Sequence, residues 1–269
     1  MKELLFRYKM DVSFSDFVGG HSFTIKCIPK TSCRQEIQVR KTEIQPISWI
    51  SFGKDSFENE YIYGKSEKLH DNFSVVIEGE ATVHREGMIE KEEKTFAYAD
   101  YPTSLTGCSD EMALLADRYR QQLKTDPIHF TDYIYALMEE IYQCMLYVPA
   151  STTIHTTAAE AFAQKQGVCQ DYAHIMLAIC RSLQIPCLYV AGYMVGEGAS
   201  HAWVRVLDSH TGRSYEIDPT NHRWVNDEYI DVSIGKDAQD CKMNKGIYKG
   251  FATEQQEVTV IVKERNENG

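Results

Sequence analysis

The segment that most constrains the fold is an apolar run in the second half of the chain, from Tyr172 to Leu183. Its hydrophobic residues would surround a helix on nearly every side, and a helix of that kind has to be buried. We therefore expect this segment to be a buried helix. Gly167 can form a tight turn before it, which puts Cys169 in or beside the first helical turn.

A cysteine at this position is well placed to act as a nucleophile, because unpaired amides and the helix dipole stabilise a thiolate in the first turn. A nucleophilic thiol also needs a neighbouring imidazole, and the imidazole needs a carboxylate that holds its ring and tautomer. Both follow in the chain, as His201 before Ala-Trp-Val and Asp218 before Pro-Thr-Asn. We therefore predict that Cys169, His201 and Asp218 form a catalytic triad.

The histidine and the aspartate lie in segments that are rich in β-branched and aromatic residues, which is typical of strands. These predicted strands are residues 187–195, 202–207 and 214–218. If the turn between the last two is centred between residues 210 and 211, Asp218 lies opposite Trp203 and diagonal to His201. A slip of one residue would move Asp218 to the other face of the hairpin.

Six motif blocks lie in order between residues 147 and 221, at 157–162, 167–174, 185–186, 189–193, 200–204 and 218–221. The most specific are Gly-Val-Cys, His-Ala-Trp and Asp-Pro-Thr-Asn. Together the blocks resemble the bacterial transglutaminase-like cysteine peptidases. The resemblance implies that Cys169 is the nucleophile, His201 the general base and acid, and Asp218 the orienting carboxylate.

The same resemblance implies an α+β fold, in which an N-terminal all-β sandwich-like domain precedes a papain-like or transglutaminase-like α+β catalytic core. Five positions depart from the family pattern without removing a catalytic atom. Gln184 replaces a usual Gly, and Cys187 and Leu188 replace a usual small residue and Arg. Arg205 stands where an acidic residue is common, and Ala238 ends a block that usually ends in Tyr. Leu188 and Arg205 would affect substrate preference if they border the cleft.

The distribution of strand and helix signals predicts two domains. Residues 1–100 alternate apolar and polar side chains and form the predicted β-rich N-terminal domain, whereas helical signals begin only later. Ser109 can cap a helix that runs to Leu123, and Asp126–Pro127 can open a second helix that ends near Met145. Residues 101–269 would then form the transglutaminase-like catalytic domain, which ends in a C-terminal strand.

The charge balance narrows the range of partners. A formal net charge of -11 argues against nucleic acid and against an anionic membrane surface, since both require a basic patch. A peptide or protein substrate fits better, and the oligomeric state is left open. No run approaches the roughly 20 apolar residues of a membrane span, and the apolar start of the chain is too short for a signal peptide. These features predict a cytoplasmic protein.

The chemistry-bearing residues give no indication of a metal or a cofactor. The eight cysteines lack the dense spacing of a disulfide scaffold, and no Cys-x-x-Cys pair is present. Cys169, His174 and Cys180 would not converge on one point of a helix, so no metal site is predicted. We expect His174 to be hydrogen-bonded in the core instead. No organic cofactor is implied, because a nucleophile, a base and an orienting group suffice for acyl transfer.

The predicted activity is cysteine-dependent amide hydrolysis through a thioester intermediate. The resemblance to the peptidase-like members favours cleavage of peptide bonds. The same triad could form a thioester from a glutamine side chain, so a protein-glutamine acyltransferase or deamidase is an alternative, and a non-catalytic protein-binding module is a second. The amide of Cys169 is the expected oxyanion donor, and Tyr147, Gln164 and Gln170 are further candidates.

Overall fold

The computed structural model describes residues 1–85, 99–125 and 129–265, apart from the side chains of residues 122–125. These residues form both strands and helices, so the predicted mixture of α and β structure is confirmed. The strands are β1 Lys2–Ile25, β2 Gln35–Gln45, β3 Trp49–Lys54, β4 Glu60–Ser66, β5 His70–Val83, β6 Leu146–Tyr147, β7 Gln166–Gly167, β8 Cys187–Met194, β9 Gly196–Gly198, β10 His201–Asp208, β11 Arg213–Asp218, β12 Arg223–Trp224, β13 Tyr229–Gly235, β14 Asn244–Lys249 and β15 Glu254–Glu264. The helices are α1 Asp110–Thr125, α2 Phe130–Cys144, α3 Ala158–Gln164 and α4 Cys169–Ser182.

The first sheet is organised around the long strand β1. The first half of β1 lies between β5 and β15, its second half lies between β4 and β14, and all these pairs are antiparallel. From Leu4 to Phe14 its side chains alternate between buried and exposed, as the sequence pattern predicts. The buried face forms one side of an apolar core.

The end of the chain completes this first sheet. β15 runs antiparallel along β1, with Leu4 opposite Glu264 at one end and Phe14 opposite Glu254 at the other. β14 pairs with the last residues of β1, and β9 adds to the outer side of β15. Strand pairing thus crosses the predicted boundary near residue 100, and the division into residues 1–100 and 101–269 stays a prediction.

The second sheet has the strand order β12-β11-β10-β8-β13 and packs against α4. The side chains from Asp171 to Arg181 of this helix are buried, as the sequence predicts. Ser109 Oγ accepts a hydrogen bond from the amide of Met112, as predicted for a cap of α1. The predicted opening of the second helix at Asp126–Pro127 lies outside the described residues. Among the described helices, none is long and apolar enough to cross a membrane.

The hairpin of β10 and β11 has the register that the sequence predicted. Val204 lies opposite Ile217 and Asp208 lies opposite Arg213, so the same register puts Trp203 across from Asp218. The turn is held by Asp208, whose carboxylate accepts hydrogen bonds from the amide of residue 210 and the hydroxyl of residue 211. This register brings the ends of both strands to the candidate site.

The two sheets share an apolar core. Tyr193 of β8 and Ile230 of β13 pack in the same cluster as Phe6 and Tyr8 of β1. The Tyr193 hydroxyl also donates a hydrogen bond to the carbonyl of Cys27. Since the second sheet lies on the buried face of the first, residues of both sheets can border one cleft.

Candidate active site

His201 and Asp218 are in direct contact at the ends of β10 and β11. Nε2 of His201 lies 2.7 Å from Oδ2 of Asp218, which is completely buried. The same carboxylate oxygen accepts hydrogen bonds from the Tyr229 hydroxyl and the Asn221 side chain, each at 2.7 Å. The other oxygen accepts from the backbone amides of Thr220 and Asn221 at 3.0 and 3.1 Å. Both oxygens of this carboxylate are therefore fixed in position.

The charged forms of His201 and Asp218 stabilise each other. Burial raises the pKa of Asp218, but hydrogen bonds from His201, Tyr229 and Asn221 and the charge of His201 outweigh it, so this pKa is lowered. Burial likewise opposes protonation of His201. The bonds and charges of Asp218 and Cys169 outweigh that effect and raise the pKa of His201 to about 10. The imidazole is therefore charged at neutral pH.

Cys169 lies at the first residue of α4 and is half-buried. Its side chain lies beside His201 in the same cleft and contributes to the raised pKa of the imidazole. Because Nε2 of His201 faces Asp218, Nδ1 is the ring nitrogen left for the thiol. The structure thus brings together all three residues that the sequence predicted, with the imidazole between the thiol and the carboxylate.

The backbone before Cys169 is fixed by Asp171, whose Oδ2 accepts hydrogen bonds from the amide of Val168 at 2.8 Å and from Thr152 Oγ1 at 2.6 Å. Gly167 lies in the short strand β7 and not in the tight turn expected from the sequence. A Cβ atom at Gly167 would stand only 2.6 Å from the Cβ of Asp171. The glycine is therefore required by close packing against the residue that fixes the start of α4.

Aromatic rings form the wall beside the imidazole. Trp203 is fully buried, and its ring centroid lies 6.2 Å from that of His201 at an interplanar angle of 30°. Tyr229 packs edge-on against Trp203 at 5.3 Å. These rings keep water from one side of the ion pair, as expected for Trp203 from the sequence.

A cleft of about 550 Å³ opens beside Cys169 and His201. Tyr147 and Gln170, two of the three candidate oxyanion donors, line this cleft. Gln164 is not among its described lining residues. The pKa of Tyr147 is raised by burial and by the electrostatic effect of Cys169, which is consistent with proximity of the two side chains.

Two departures from the family pattern lie away from the cleft. Leu188 is fully buried in a cluster with Trp203 on the other side of the sheet. Arg205 forms ion pairs with Glu216 and Asp231 at 2.6 and 3.0 Å. The conditional expectation that Leu188 or Arg205 would affect substrate preference by bordering the cleft is therefore not supported.

His174 is a core residue, as predicted. Its Nε2 accepts a hydrogen bond from the amide of Ala238 at 3.1 Å, and burial lowers the pKa of its ring to about 4. Among the described residues, no group of three or more histidines, cysteines and acidic residues could hold a metal ion. All eight cysteines lie in this part of the chain, and no disulfide joins any two of them.

Two residues of the site were missed by the sequence analysis. The side chain of Asn221 also approaches Nε2 of His201 at 3.3 Å, and its place beside Asp218 in the Asp-Pro-Thr-Asn motif was an available signal. Tyr229 belongs to β13, which reaches the site only because it pairs with the far side of β8. No local pattern around Tyr229 indicates that arrangement.

The site is built from two elements. A buried helix carries a cysteine at its first residue, and the sheet on which it packs carries a histidine and an aspartate. The family model of the transglutaminase-like superfamily matches residues 115–227. Residues 115–227 are therefore similar to that superfamily, which confirms the resemblance stated from the motifs.

Over its whole length the chain is similar in fold to the crystal structure of a candidate cysteine protease from Cytophaga hutchinsonii. The TM-score is 0.75 at 17% sequence identity, and the alignment covers 100% of this chain and 93% of that chain. At this level of identity the similarity concerns the fold alone.

Curated relatives match a part of the chain. An uncharacterized protein of Mycobacterium leprae is 40% identical over 126 residues, which are 43% of this chain and 44% of that protein. An uncharacterized protein of Mycobacterium bovis is 34% identical over 125 residues, which are 41% of this chain and 40% of that protein. The chain therefore matches less than half the length of these relatives.

Proposed function

We propose that this protein is a cysteine-dependent amide hydrolase that cleaves peptide bonds through a triad of Cys169, His201 and Asp218. The observation that carries the proposal is the position of His201, which lies beside Cys169 in the cleft and is hydrogen-bonded to a buried carboxylate. The similarity of residues 115–227 to the superfamily supports cysteine-dependent catalysis in general.

In the proposed reaction, Cys169 Sγ attacks the carbonyl carbon of an amide and forms a tetrahedral adduct. The imidazolium of His201 donates its proton to the leaving amine, which departs and leaves a thioester. His201 is now neutral and takes a proton from water, and the resulting hydroxide attacks the thioester carbonyl. The carbon–sulfur bond then breaks, the carboxylic acid product leaves, and the thiolate of Cys169 and the imidazolium of His201 are restored.

The oxyanion of the adduct needs hydrogen-bond donors, and the amide of Cys169 is the first. As the first residue of α4, its N–H has no acceptor within the helix and lies at the positive end of the helix dipole. Tyr147 and Gln170, which both border the cleft, are the candidate side chains for a second donor. Asp218 would orient the ring and stabilise its charged form.

The proposal includes the finer architecture, with residues 1–100 as a sandwich-like domain and residues 101–269 as a papain-like core. The packing of α4 across the second sheet, with the nucleophile at its first residue, supports a papain-like core. Tyr8 from the first sheet lines the cleft, so the β-rich region contributes to the site directly.

The test is to incubate the wild-type protein and Cys169→Ala with a diverse peptide pool that contains glutamine and a primary amine, under reductant. Mass spectrometry then reads every change in mass. Fragments that appear only with the wild type are the expected result. Deamidation or amine adducts would establish the glutamine acyltransferase alternative instead, and identical spectra for both proteins would contradict catalysis and favour a binding module.

A further inference from the structure

One edge of the first sheet opens into the active-site cleft. β15 is covered on its outer side by β9, but only where Val260–Val262 pair with Gly196–Gly198. Along Glu254–Val258, no strand of the described residues pairs with that side of β15. An unpaired strand edge is a template for another extended chain.

The backbone groups at this edge can be assigned from the ladder with β1. Beyond each end of the paired segment, the amide of Ser15 donates to the carbonyl of Thr253 and the amide of Arg265 donates to that of Glu3. The register between these points has no bulge, and in an antiparallel ladder every second residue turns its N–H and C=O to the same neighbour. Odd-numbered residues of β15 therefore bond to β1. The N–H and C=O groups of the even-numbered residues within Glu254–Val258 point to the open side.

These even-numbered residues also line the cleft that contains Cys169 and His201. Continuing the register of β9 and β15 beyond Gly198 would put residues 199–200 beside residues 258 and 259, but the chain leaves β15 there and enters β10 at His201. The position next to β15 that the described residues leave open therefore leads directly to His201. A strand in that position would pass along the cleft.

Along the open part of β15, polar residues replace the apolar residues of the inward face. Val260 and Val262 are buried on the face that packs into the core, whereas Gln256 and Glu254 continue that face and are exposed. Their neighbours across the ladder, Val12 and Phe14, are buried apolar residues. Polar residues at inward-facing positions break the expected alternation of a strand, and such breaks are expected where a sheet borders a functional site.

We propose that the substrate binds as an added strand on this edge, with hydrogen bonds from its main chain to the backbone of Glu254 and Gln256. This inference rests on the proposed function and specifies its substrate class as extended, unstructured peptide segments. Recognition through the main chain tolerates many sequences, and every second side chain of the substrate would face the cleft. Folded proteins would be substrates only at segments that can extend.

The test compares Gln256→Pro with Gln256→Ala. Both variants lack the glutamine side chain, whereas only proline removes the N–H that points to the open side. The ladder with β1 uses the odd-numbered residues and is retained, and proline is tolerated at such edge positions. The probe is a synthetic pool of random-sequence decapeptides, and mass spectrometry follows the loss of intact peptide relative to wild type and Cys169→Ala. We expect Gln256→Pro to act at least about tenfold more slowly than Gln256→Ala.

Equal rates for the proline and alanine variants, with an active wild type, would overturn the added-strand inference and leave the proposed function standing. A wild type that matches Cys169→Ala on this pool would overturn both. If circular dichroism shows that Gln256→Pro does not fold, one cleaved peptide is N-methylated at each amide in turn and tested on the wild type. Loss of cleavage at every second amide would support the inference, and a scan without that alternation would overturn it.

Discussion

At the scale of single residues, the central feature of the site is a buried carboxylate that stays charged. Asp218 has no exposed surface, and its two oxygens together accept hydrogen bonds from His201, Tyr229 and Asn221 and from two backbone amides. This number of donors compensates for the loss of hydration, so the carboxylate can hold the imidazolium of His201 in turn. The charge state of His201 therefore depends on Asp218.

The variant Asp218→Asn tests this dependence through pH. An amide cannot hold the proton on the imidazole, so the pKa of His201 should fall from about 10 toward its ordinary value of 6.5. Acylation needs the imidazolium, and it is lost as pH rises through that pKa. We therefore expect the alkaline limb of kcat/KM to move toward neutral pH, with a loss of about tenfold or more in rate at pH 8.

A matched control is Asp208→Asn, which changes a buried carboxylate in the turn of the same hairpin without touching His201. Its alkaline limb should stay in place. An unmoved limb in Asp218→Asn would mean that another group holds the proton on His201.

The pair of His201 and Asp218 also makes the stability of the fold depend on pH. By linkage, the ion pair stabilises the fold fully between pH 3.8 and 6.5, and the contribution of His201 is lost as pH rises through about 10.

The residues of the triad were predictable from sequence because each has a local signal, namely a helix start, a strand entrance and an Asp-Pro-Thr-Asn motif. Their contact also required the hairpin register, which depends on a short turn that the sequence indicates. Tyr229 and the exposed residues Gln256 and Glu254 were not predictable in the same way. Their positions depend on which distant strands pair, and periodicity within one strand carries no such information.

At the scale of elements, the end of α4 contains a strained residue. Gln184 has φ of 61° and follows the helix in a left-handed conformation, while the amide of Ile185 bonds to the carbonyl of Cys180. This is the hydrogen bonding of a Schellman ending, in which glycine is preferred at the left-handed position. A side chain there is unfavourable because of the contact between Cβ and the backbone.

We predict that Gln184→Gly stabilises the protein by about 1 kcal/mol, measured as the free energy of unfolding in urea. The side chain of Gln184 is exposed, so its removal should cost little packing. Gln184→Ala is the control, because alanine removes the same side chain and keeps the Cβ atom; its effect should stay within a few tenths of a kcal/mol, as is usual for surface changes. Equal stabilities of the glycine and alanine variants would contradict the strain.

At the scale of the whole molecule, a cluster of ion pairs connects the two sheets. It links the segment that follows β5 of the first sheet to strands β11 and β13 of the second sheet. Arg85, which follows β5, donates to the side chains of Glu216 and Asp231 and to the carbonyl of Tyr229. Burial raises the pKa of Glu216, but Arg205, Arg85 and other arginine charge outweigh it and lower this pKa to about 2. The carboxylate is therefore charged at neutral pH although it is buried.

The last prediction concerns Arg85→Met, which keeps an apolar stem and removes the charge. Because Glu216 and Asp231 would then remain in a buried position with less compensation, the free energy of unfolding in urea should fall by about 3–5 kcal/mol at pH 7. The loss should shrink at acidic pH, since the lowered pKa of Glu216 gives stability above 4.5 that disappears as pH falls toward 2. Arg40→Met is the control.

Arg40 also lies on the first sheet and pairs with Glu80, but its side chain is 54% exposed whereas that of Arg85 is 7% exposed. Exposed pairs contribute little, so Arg40→Met should change the stability by less than about 1 kcal/mol. A similar loss in both variants would mean that the buried cluster does not join the sheets. Because one wall of the cleft belongs to the first sheet, while His201 lies on the second sheet and Cys169 on the helix packed against it, the geometry of the site depends on how firmly the two sheets are joined.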